Sequence, residues 1–255
     1  MLEKLKKHGF LFSELIKRDF KKQYKNTYLG MIWSLLSPLL TLLVMSLVFS
    51  HFFGRTTPHY TIYLFIGNII FSFFSDSTTG GMGSLLANAP IFTKINVPKY
   101  LFLFSRNISS LINFGLTLVI FFIFCIFDNI TFSWAFLLLI LPIVCLVIFN
   151  LGMGLILSAL YVFFRDMQYL WSVFLQLLMY MSAIFYDIGG FPDYVQTLFH
   201  LNPVFVYIKY FRLIVIDGTI PSLTLNLLAI GYALLAFAIG AVIYKRFNHK
   251  FLYYV

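Results

Sequence analysis

Six long apolar stretches dominate this sequence of 255 residues. A helix needs about 20 mainly apolar residues to cross the hydrocarbon core of a bilayer, which is about 30 Å thick. Because unpaired backbone groups are costly in lipid, we predict that each stretch forms a transmembrane helix. The six predicted spans cover residues 31–53, 61–87, 101–127, 133–161, 167–186 and 222–244. The predicted fold class is an all-α membrane protein.

The composition excludes an ordinary soluble domain. The chain is 61% hydrophobic and 11% charged, whereas soluble domains are about one quarter charged. We therefore predict a single transmembrane domain over residues 1–255. It would consist of a cytoplasmic interfacial helix in 1–27, a six-span bundle in 28–246 and a cytoplasmic tail in 247–255.

Basic residues are distributed unevenly between the two predicted sides of the membrane. An even number of spans places both termini on one side. Of the 18 Lys and Arg residues, all but Arg55, Lys209 and Arg212 fall on that side. Because basic loops stay in the cytoplasm, we predict a multi-pass protein of the plasma (inner) membrane with both termini cytoplasmic.

Residues 10–25 are predicted to form an amphipathic helix in the cytoplasmic headgroup layer, with Leu11 and Leu15 on its apolar face. One interpretation is a simple anchor to anionic lipid. The other is that its cations contact the diphosphate headgroup of a lipid-linked molecule. The cations in question are Arg18, Lys21, Lys22 and Lys25.

Two acidic residues lie in otherwise apolar surroundings. Asp19 falls within the apolar face of the amphipathic helix, so we expect it to pair with an Arg, a Lys or an amide. Asp76 lies in the second span, toward its cytoplasmic end, where an acid either has a direct functional role or pairs with a cation. The nearby glycines, Gly80, Gly81 and Gly83, are predicted to allow close helix packing or a kink.

The two longest connections between spans are not purely polar. In the cytoplasmic connection, residues 88–99, apolar side chains beside cations predict a docking surface for another protein; the alternative is a loop that lies against the membrane. The outer connection, residues 187–221, holds two amphipathic stretches split at Asn202 and Pro203. Such a pair predicts a re-entrant hairpin that could close a pore from outside, or else an interfacial cap with a structural role.

Catalytic signatures are absent from this sequence. It contains no P-loop pattern, no zinc-protease pattern and no nucleophile elbow. Its His and Cys residues lack the spacing of metal ligands. We therefore predict no catalytic residue, no metal site and no enzyme activity, and we expect the energy for any uphill transport to come from another subunit.

Three blocks of residues resemble one family, in the same order along the chain. The first block is Arg18, Asp19, Phe20, Lys21, Tyr24, Leu29, Gly30, Trp33 and Pro38; the second is Asn88, Ile91, Lys94 and Pro98; the third is Phe164, Arg165 and Asp166, followed by Asn202, Pro203 and Arg212. The blocks are similar to those of the permease subunits of ATP-binding-cassette exporters for polysaccharides, of the O-antigen and teichoic-acid type. Gln23 departs from the pattern, since the family often has Arg there.

The resemblance implies partners and a substrate. Two copies of the chain would pair with two ATP-binding-cassette ATPase subunits, which would bind ATP and Mg²⁺, so that this chain needs no cofactor. The substrate would be a polyprenyl-diphosphate-linked glycan; no nucleic acid is expected. The predicted ATPase-coupling residues are Asn88, Ile91, Phe92, Lys94, Ile95, Pro98, Arg165 and Asp166. The predicted outer-gate residues are Pro192, Asn202, Pro203 and Arg212.

A channel for a glycan would use aromatic side chains, because flat rings suit the C–H faces of sugars. Aromatic residues make up 20% of this chain. The predicted channel-lining aromatics are Trp33, Tyr63, Phe71, Phe73, Phe74, Trp171, Tyr180, Phe185 and Tyr186. Three alternatives remain: a related ATP-driven exporter of a drug or another lipid, a membrane enzyme acting on lipid-linked sugars, and a self-contained channel or scaffold.

Overall fold

The computed structural model describes residues 9–24, 30–53, 58–95 and 97–254, and all regular secondary structure in these residues is helical. The α-helices in chain order are α1 (Gly9–Tyr24), α2 (Trp33–Phe53), α3 (Tyr60–Ala87), α4 (Ala89–Phe92), α5 (Tyr100–Phe127), α6 (Ile140–Phe163), α7 (Met167–Met181), α8 (Asp193–Phe199), α9 (Pro203–Val215), α10 (Leu223–Phe247) and α11 (Phe251–Tyr254). Two 3-10 helices, Gly30–Ile32 and Trp134–Leu139, precede α2 and α6. The predicted all-α class is confirmed.

Each predicted span contains a helix, but the helices differ in length and polarity. Among the described residues, three are long and apolar enough to cross a membrane: Tyr100–Phe127, Trp134–Phe163 and Leu223–Phe247. A fourth is counted if α8 and α9, which meet at a bend of 105°, form one broken span. The predicted split of the outer connection is thus present, whereas six spans and a re-entrant placement remain predictions.

The helix in the predicted fifth span is shorter than the apolar stretch that contains it. Helix α7 has 15 residues and is about 22 Å long, less than the hydrocarbon core of about 30 Å. The chain then turns through Ala183, whose φ of 49° lies in the left-handed region. Residues 167–186 therefore hold a helix followed by a turn.

Glycines bring the longest helices into close contact. A Cβ atom on Gly152 of α6 would lie 2.4 Å from the carbonyl carbon of Ala236 in α10, and one on Gly240 would lie 2.5 Å from the Gly152 oxygen. A Cβ on Gly81 of α3 would lie 3.3 Å from the Cα of Gly154 in α6. Small residues allow helix backbones to approach in this way, so the packing role predicted for Gly81 is confirmed.

Both ends of the described chain pack on the bundle. Helix α1 is present where an amphipathic helix was predicted, and its Leu15 is buried against residues of α5 and α6. Near the other end, Phe251 of α11 is fully buried beside Tyr244 and Phe163. Within the predicted tail, Phe251 is therefore packed on the bundle. We call the end of the bundle where α3 meets α4 the inner end, and the opposite end the outer end.

Candidate functional site

A cavity of about 550 Å³ lies between α2, α3 and α5. It is at mid-height of α3 and α5, and most of its lining residues are polar. The polar residues are Ser34, Ser37 and Thr41 from α2, Asn68, Ser72 and Asp76 from α3, and Ser110, Asn113 and Thr117 from α5. This cavity is the first candidate site, because polar groups at this depth of a membrane helix are costly unless they serve a polar occupant.

Helical periodicity places these residues on one face of each helix. On α3 the polar positions recur every four residues, from Asn68 through Ser72 to Asp76. On α5 they recur at Ser110, Asn113 and Thr117. Intervals of three and four residues return to the same helix face. The sequence analysis missed this site, although the same intervals could have indicated it.

The lower wall of the cavity holds a closed ion pair. The Arg106 Nη2 atom of α5 donates to Asp76 Oδ1 over 2.7 Å, and the Ser110 hydroxyl donates to Asp76 Oδ2 over 2.6 Å. Gly80 makes room for this pair, since a Cβ there would lie 2.2 Å from Arg106 Nε. The predicted pairing of Asp76 with a cation is confirmed.

Further hydrogen bonds connect the neighbourhood of this ion pair to α1. The amide of Asn107 donates to the Ser77 hydroxyl over 2.5 Å. Two residues closer to the inner end, Ser105 donates to Asp19 Oδ2 over 3.0 Å, and Arg18 donates to Asp19 Oδ1 over 2.6 Å. The predicted pairing of Asp19 is therefore confirmed, and α1 is attached to α5 by polar as well as apolar contacts.

The predicted channel aromatics occupy three kinds of surroundings. Trp33, which is 39% exposed, and buried Phe73 line the cavity. Tyr180 is exposed and Tyr186 is half-buried. The remaining members are buried within the protomer, often against other rings: Tyr63, Phe71, Phe74, Trp171 and Phe185. Which of them faces a channel remains a prediction.

Residues 88–99, which we call the inner connection, contain the single helical turn α4. The Asn88 side chain donates to the Ser84 oxygen over 2.8 Å and is buried at the end of α3. Phe92 is only 5% exposed, with its ring 6.0 Å from that of Phe102, whereas Ile95 is 53% exposed. The predicted coupling residues thus divide into an internal group and an external one: Lys94 is exposed like Ile95, and Ile91 and Pro98 are half-buried.

Lys99 attaches the inner connection to the C-terminal segment. Its Nζ atom donates to the Asn248 oxygen over 2.7 Å and lies 5.7 Å from the ring centres of both Phe92 and Phe251. Burial among these groups lowers the pKa of Lys99, because a charged amine is less well solvated there than in water.

The connection between α6 and α7, residues 164–166, is the second inner connection, and it is tied to the same C-terminal segment. Arg165 Nη2 donates to the Tyr254 oxygen over 3.2 Å, and its guanidinium lies 5.9 Å from the ring centre of Tyr161. Asp166 occupies the N-cap position of α7, but its side chain makes no capping hydrogen bond. The carboxylate therefore does not cap α7, and the backbone oxygen of Asp166 accepts from the N–H groups of Tyr169 and Leu170.

The cations of α1 differ in their availability. Arg18 is bound to Asp19, whereas Lys21 is exposed and forms no ion pair with any described residue. The side chain of Lys22 and all of Lys25 lie outside the described residues.

The outer connection is held by an arginine and an asparagine. Arg212 of α9 is 8% exposed and donates to three backbone oxygens, those of Tyr63, Ala183 and Ile184, over 3.2, 2.9 and 3.1 Å. Its guanidinium also lies 3.3 Å from the centre of the Tyr63 ring. Together these contacts, which we call the Arg212 clamp, join α9 to α3 and to the turn after α7.

The predicted break in the outer connection has the local chemistry of a helix start. Asn202 caps α9 by accepting from the Val204 N–H over 3.0 Å, while its amide donates to the Ser182 hydroxyl over 2.9 Å. Pro203 follows in the first turn of α9, where the missing N–H costs nothing. Pro192 is the N-cap residue of α8.

Comparison with known families decides the class of protein. A sequence model described as ABC-2 type transporter matches residues 11–216, well over half of the chain. The chain belongs to the ABC-2 type transporter family. Comparison with curated proteins finds no match.

Membership of this family confirms the broader part of the sequence predictions. The chain is the membrane component of an ABC exporter. It is a transport subunit and not a catalyst, and ABC-2 permeases partner with ATP-binding-cassette subunits, on which the ATPase activity generally resides. The family alone does not specify the transported substrate, so the geometry of the cavity becomes the guide to it.

Proposed function

We propose that this ABC-2 permease exports a polyprenyl-diphosphate-linked polysaccharide, such as an O-antigen, a teichoic acid or a similar cell-wall glycan. Transport would run from the cytoplasm to the outer face of the plasma membrane. The observation that carries this proposal is the polar cavity at mid-height of α3 and α5. Serine, threonine and asparagine side chains exchange hydrogen bonds with sugar hydroxyls, whereas an apolar drug would leave them unsatisfied.

The working unit would contain two copies of this chain, each with six spans and cytoplasmic termini, and two ATPase subunits that bind ATP and Mg²⁺. Ile95 and Lys94 in the inner connection are both exposed. An exposed apolar side chain beside a cation is typical of a docking surface, here for the ATPase subunit. ATP binding would close the ATPase subunits and push this connection. Arg165 lies at the second inner connection, where α7 begins.

The outer and inner surfaces would contribute in different ways. Helices α8 and α9, which meet at the 105° bend, would form a re-entrant hairpin that acts as the outer gate. At the inner end, the exposed cation Lys21 of α1 would contact the diphosphate of the lipid carrier. Many weak contacts along the route would let the polymer slide and leave.

Reconstitution tests the proposal directly. The chain is co-purified with its ATP-binding-cassette subunit and placed in vesicles that contain a polyprenyl-diphosphate-linked glycan, the same lipid without the glycan, or an apolar drug. We expect ATP-dependent transfer of the glycan and stimulated ATP turnover with that substrate alone. Transfer of the drug with no effect of the glycan would replace the proposal by drug export, and transfer without any ATPase subunit would refute both.

A further inference from the structure

The cavity between α2, α3 and α5 keeps hydrogen-bonding capacity that the protein itself does not use. No hydrogen bond joins the Asn68 amide or the Ser72 hydroxyl to any residue that the structure describes. Thr41 and Thr117 donate to backbone oxygens one turn earlier, over 2.9 and 3.0 Å, so each hydroxyl oxygen can still accept. Because such groups are costly in a membrane interior, the cavity suits a ligand that both donates and accepts.

The charges around the cavity favour a neutral ligand. Asp76 is the charged residue among those that line it, and both carboxylate oxygens are already engaged, one by Arg106 and the other by Ser110. The ion pair therefore leaves no net charge for an ionic ligand to bind. An uncharged polyol meets this requirement, whereas the diphosphate of a lipid carrier does not.

The size and the aromatic walls narrow the ligand further. A cavity of about 550 Å³ lies within the range of about 300–1,000 Å³ that is usual for small-molecule sites. The rings of Phe73 and Phe114 stack with their centres 4.5 Å apart on one wall, and Trp33 stands half-exposed at the first residue of α2. A sugar ring presents C–H faces to such surfaces and hydroxyls to the polar ones.

We propose that this cavity is a binding site for one sugar ring of the glycan, with the ring hydroxyls on Asn68 and Ser72 and a C–H face toward Trp33. The identity of the sugar as part of the cargo rests on the function proposed above. The site lies within one protomer, so each copy of the chain would hold one ring. It would thus provide a resting position for the glycan on its way across.

Fluorescence of Trp33 tests the site in the complete complex. Trp134→Phe and Trp171→Phe leave Trp33 as the remaining one of the 3 tryptophans of this chain, and tryptophans in the ATPase subunits are replaced likewise. Complexes in nanodiscs are titrated with octyl-β-D-glucopyranoside and with octyl tetraethylene glycol, which has the same tail but no sugar. We expect a saturable change in Trp33 emission with the glucoside alone.

Two substitutions assign the response to the cavity. Ser72→Leu and Asn68→Leu fill it without removing an internal hydrogen bond, and each should weaken glucoside binding about five-fold, as the loss of one hydrogen bond does. Thr79→Leu is the matched control, because Thr79 is exposed on the same helix and does not line the cavity. It should leave the affinity unchanged.

The outcomes separate the two proposals. The sugar site is refuted if Trp33 responds equally to the two detergents, or if both leucine variants bind the glucoside as the parent does. If the same complex nevertheless exports the glycan, the proposed function still holds. A glucoside response that is weakened in the leucine variants supports the site even if the complex transports no glycan, in which case the proposed cargo is wrong.

Discussion

The outer and inner ends of this permease hold their connections in different ways. At the outer end the Arg212 clamp joins three segments through one buried side chain, with hydrogen bonds to the oxygens of Tyr63, Ala183 and Ile184. At the inner end Lys99 and Arg165 each reach a single oxygen of the C-terminal segment. At the outer end, one side chain therefore makes three hydrogen bonds to other segments. At the inner end, two side chains make one such hydrogen bond each.

This difference indicates where the molecule can rearrange. The planar guanidinium of arginine is pre-organised for several hydrogen bonds, so α9 and the turn after α7 should move together with α3. A lysine with one hydrogen bond, in contrast, can exchange its partner at small cost. We expect motion driven by the ATPase to repack the inner connections while the Arg212 clamp stays closed.

Breaking the clamp should have the largest effect. Arg212→Met removes three hydrogen bonds that a charged donor makes to backbone oxygens, each worth about 1.5–3 kcal/mol. We expect the apparent Tm of the purified protein in detergent to fall by more than 10 °C, since a few kcal/mol shift Tm by about this much. Lys209→Met, on the same helix, is the control and should lower Tm by much less. An equal loss in the two variants would show that the hydrogen bonds of Arg212 do not hold the outer end.

Substitution of the exposed residue in the inner connection should impair transport and leave the fold intact. Ile95→Asp places a charge on the surface proposed to dock the ATPase, and we expect ATP-dependent transport to fall about ten-fold or more, a loss of at least about 1.4 kcal/mol. Its Tm should be unchanged because Ile95 is 53% exposed. Ile220→Asp, the same change at an exposed position of the outer connection, is the control and should leave transport unchanged. Phe92→Asp should instead lower Tm, since that side chain is buried. Normal transport by Ile95→Asp would contradict the docking role.

Local patterns predicted those parts of the fold that depend on neighbouring residues. The periodicity of α1 and the break at Asn202 and Pro203 are encoded within a few residues, and both are present. The end of α7 could not be predicted in this way. The left-handed turn at Ala183 is held by Arg212, which lies 29 residues further along the chain. In the sequence, the apolar residues 183–186 look like a continuation of the span.

The candidate site was less predictable than the fold for a related reason. The polar residues of the cavity occur about once per turn inside apolar stretches, so average hydropathy conceals them. The division between buried Phe92 and exposed Ile95 depends on Lys99 and on Phe251 of α11. Such contacts, made between residues far apart in the sequence, leave no local signal.

Removal of the Lys99 hydrogen bond at the inner end should have a moderate effect. Lys99→Met removes the hydrogen bond to the Asn248 oxygen but also the cost of burying a charge, so we expect stability to change by about 1 kcal/mol or less. The C-terminal segment should nevertheless open more often. Hydrogen exchange of residues 248–254 should speed up several-fold relative to the parent, and Lys250→Met serves as the control. Unchanged exchange would mean that the aromatic contacts of Phe251 alone hold the segment.

The smallest change in Tm is expected at Ala183, in the turn that the Arg212 clamp contacts. Ala183 has a φ of 49° and is fully buried. Ala183→Gly relieves the left-handed strain of about 1–2 kcal/mol but loses a methyl contact and adds freedom to the unfolded chain, worth about 0.5–1 kcal/mol. Because these contributions oppose each other, Tm should shift by only a few degrees, whereas Ala183→Val should lower it clearly. If Ala183→Gly lowers Tm as much as Arg212→Met does, the methyl packing of Ala183 and not the guanidinium holds the turn, and the contrast between the two ends fails.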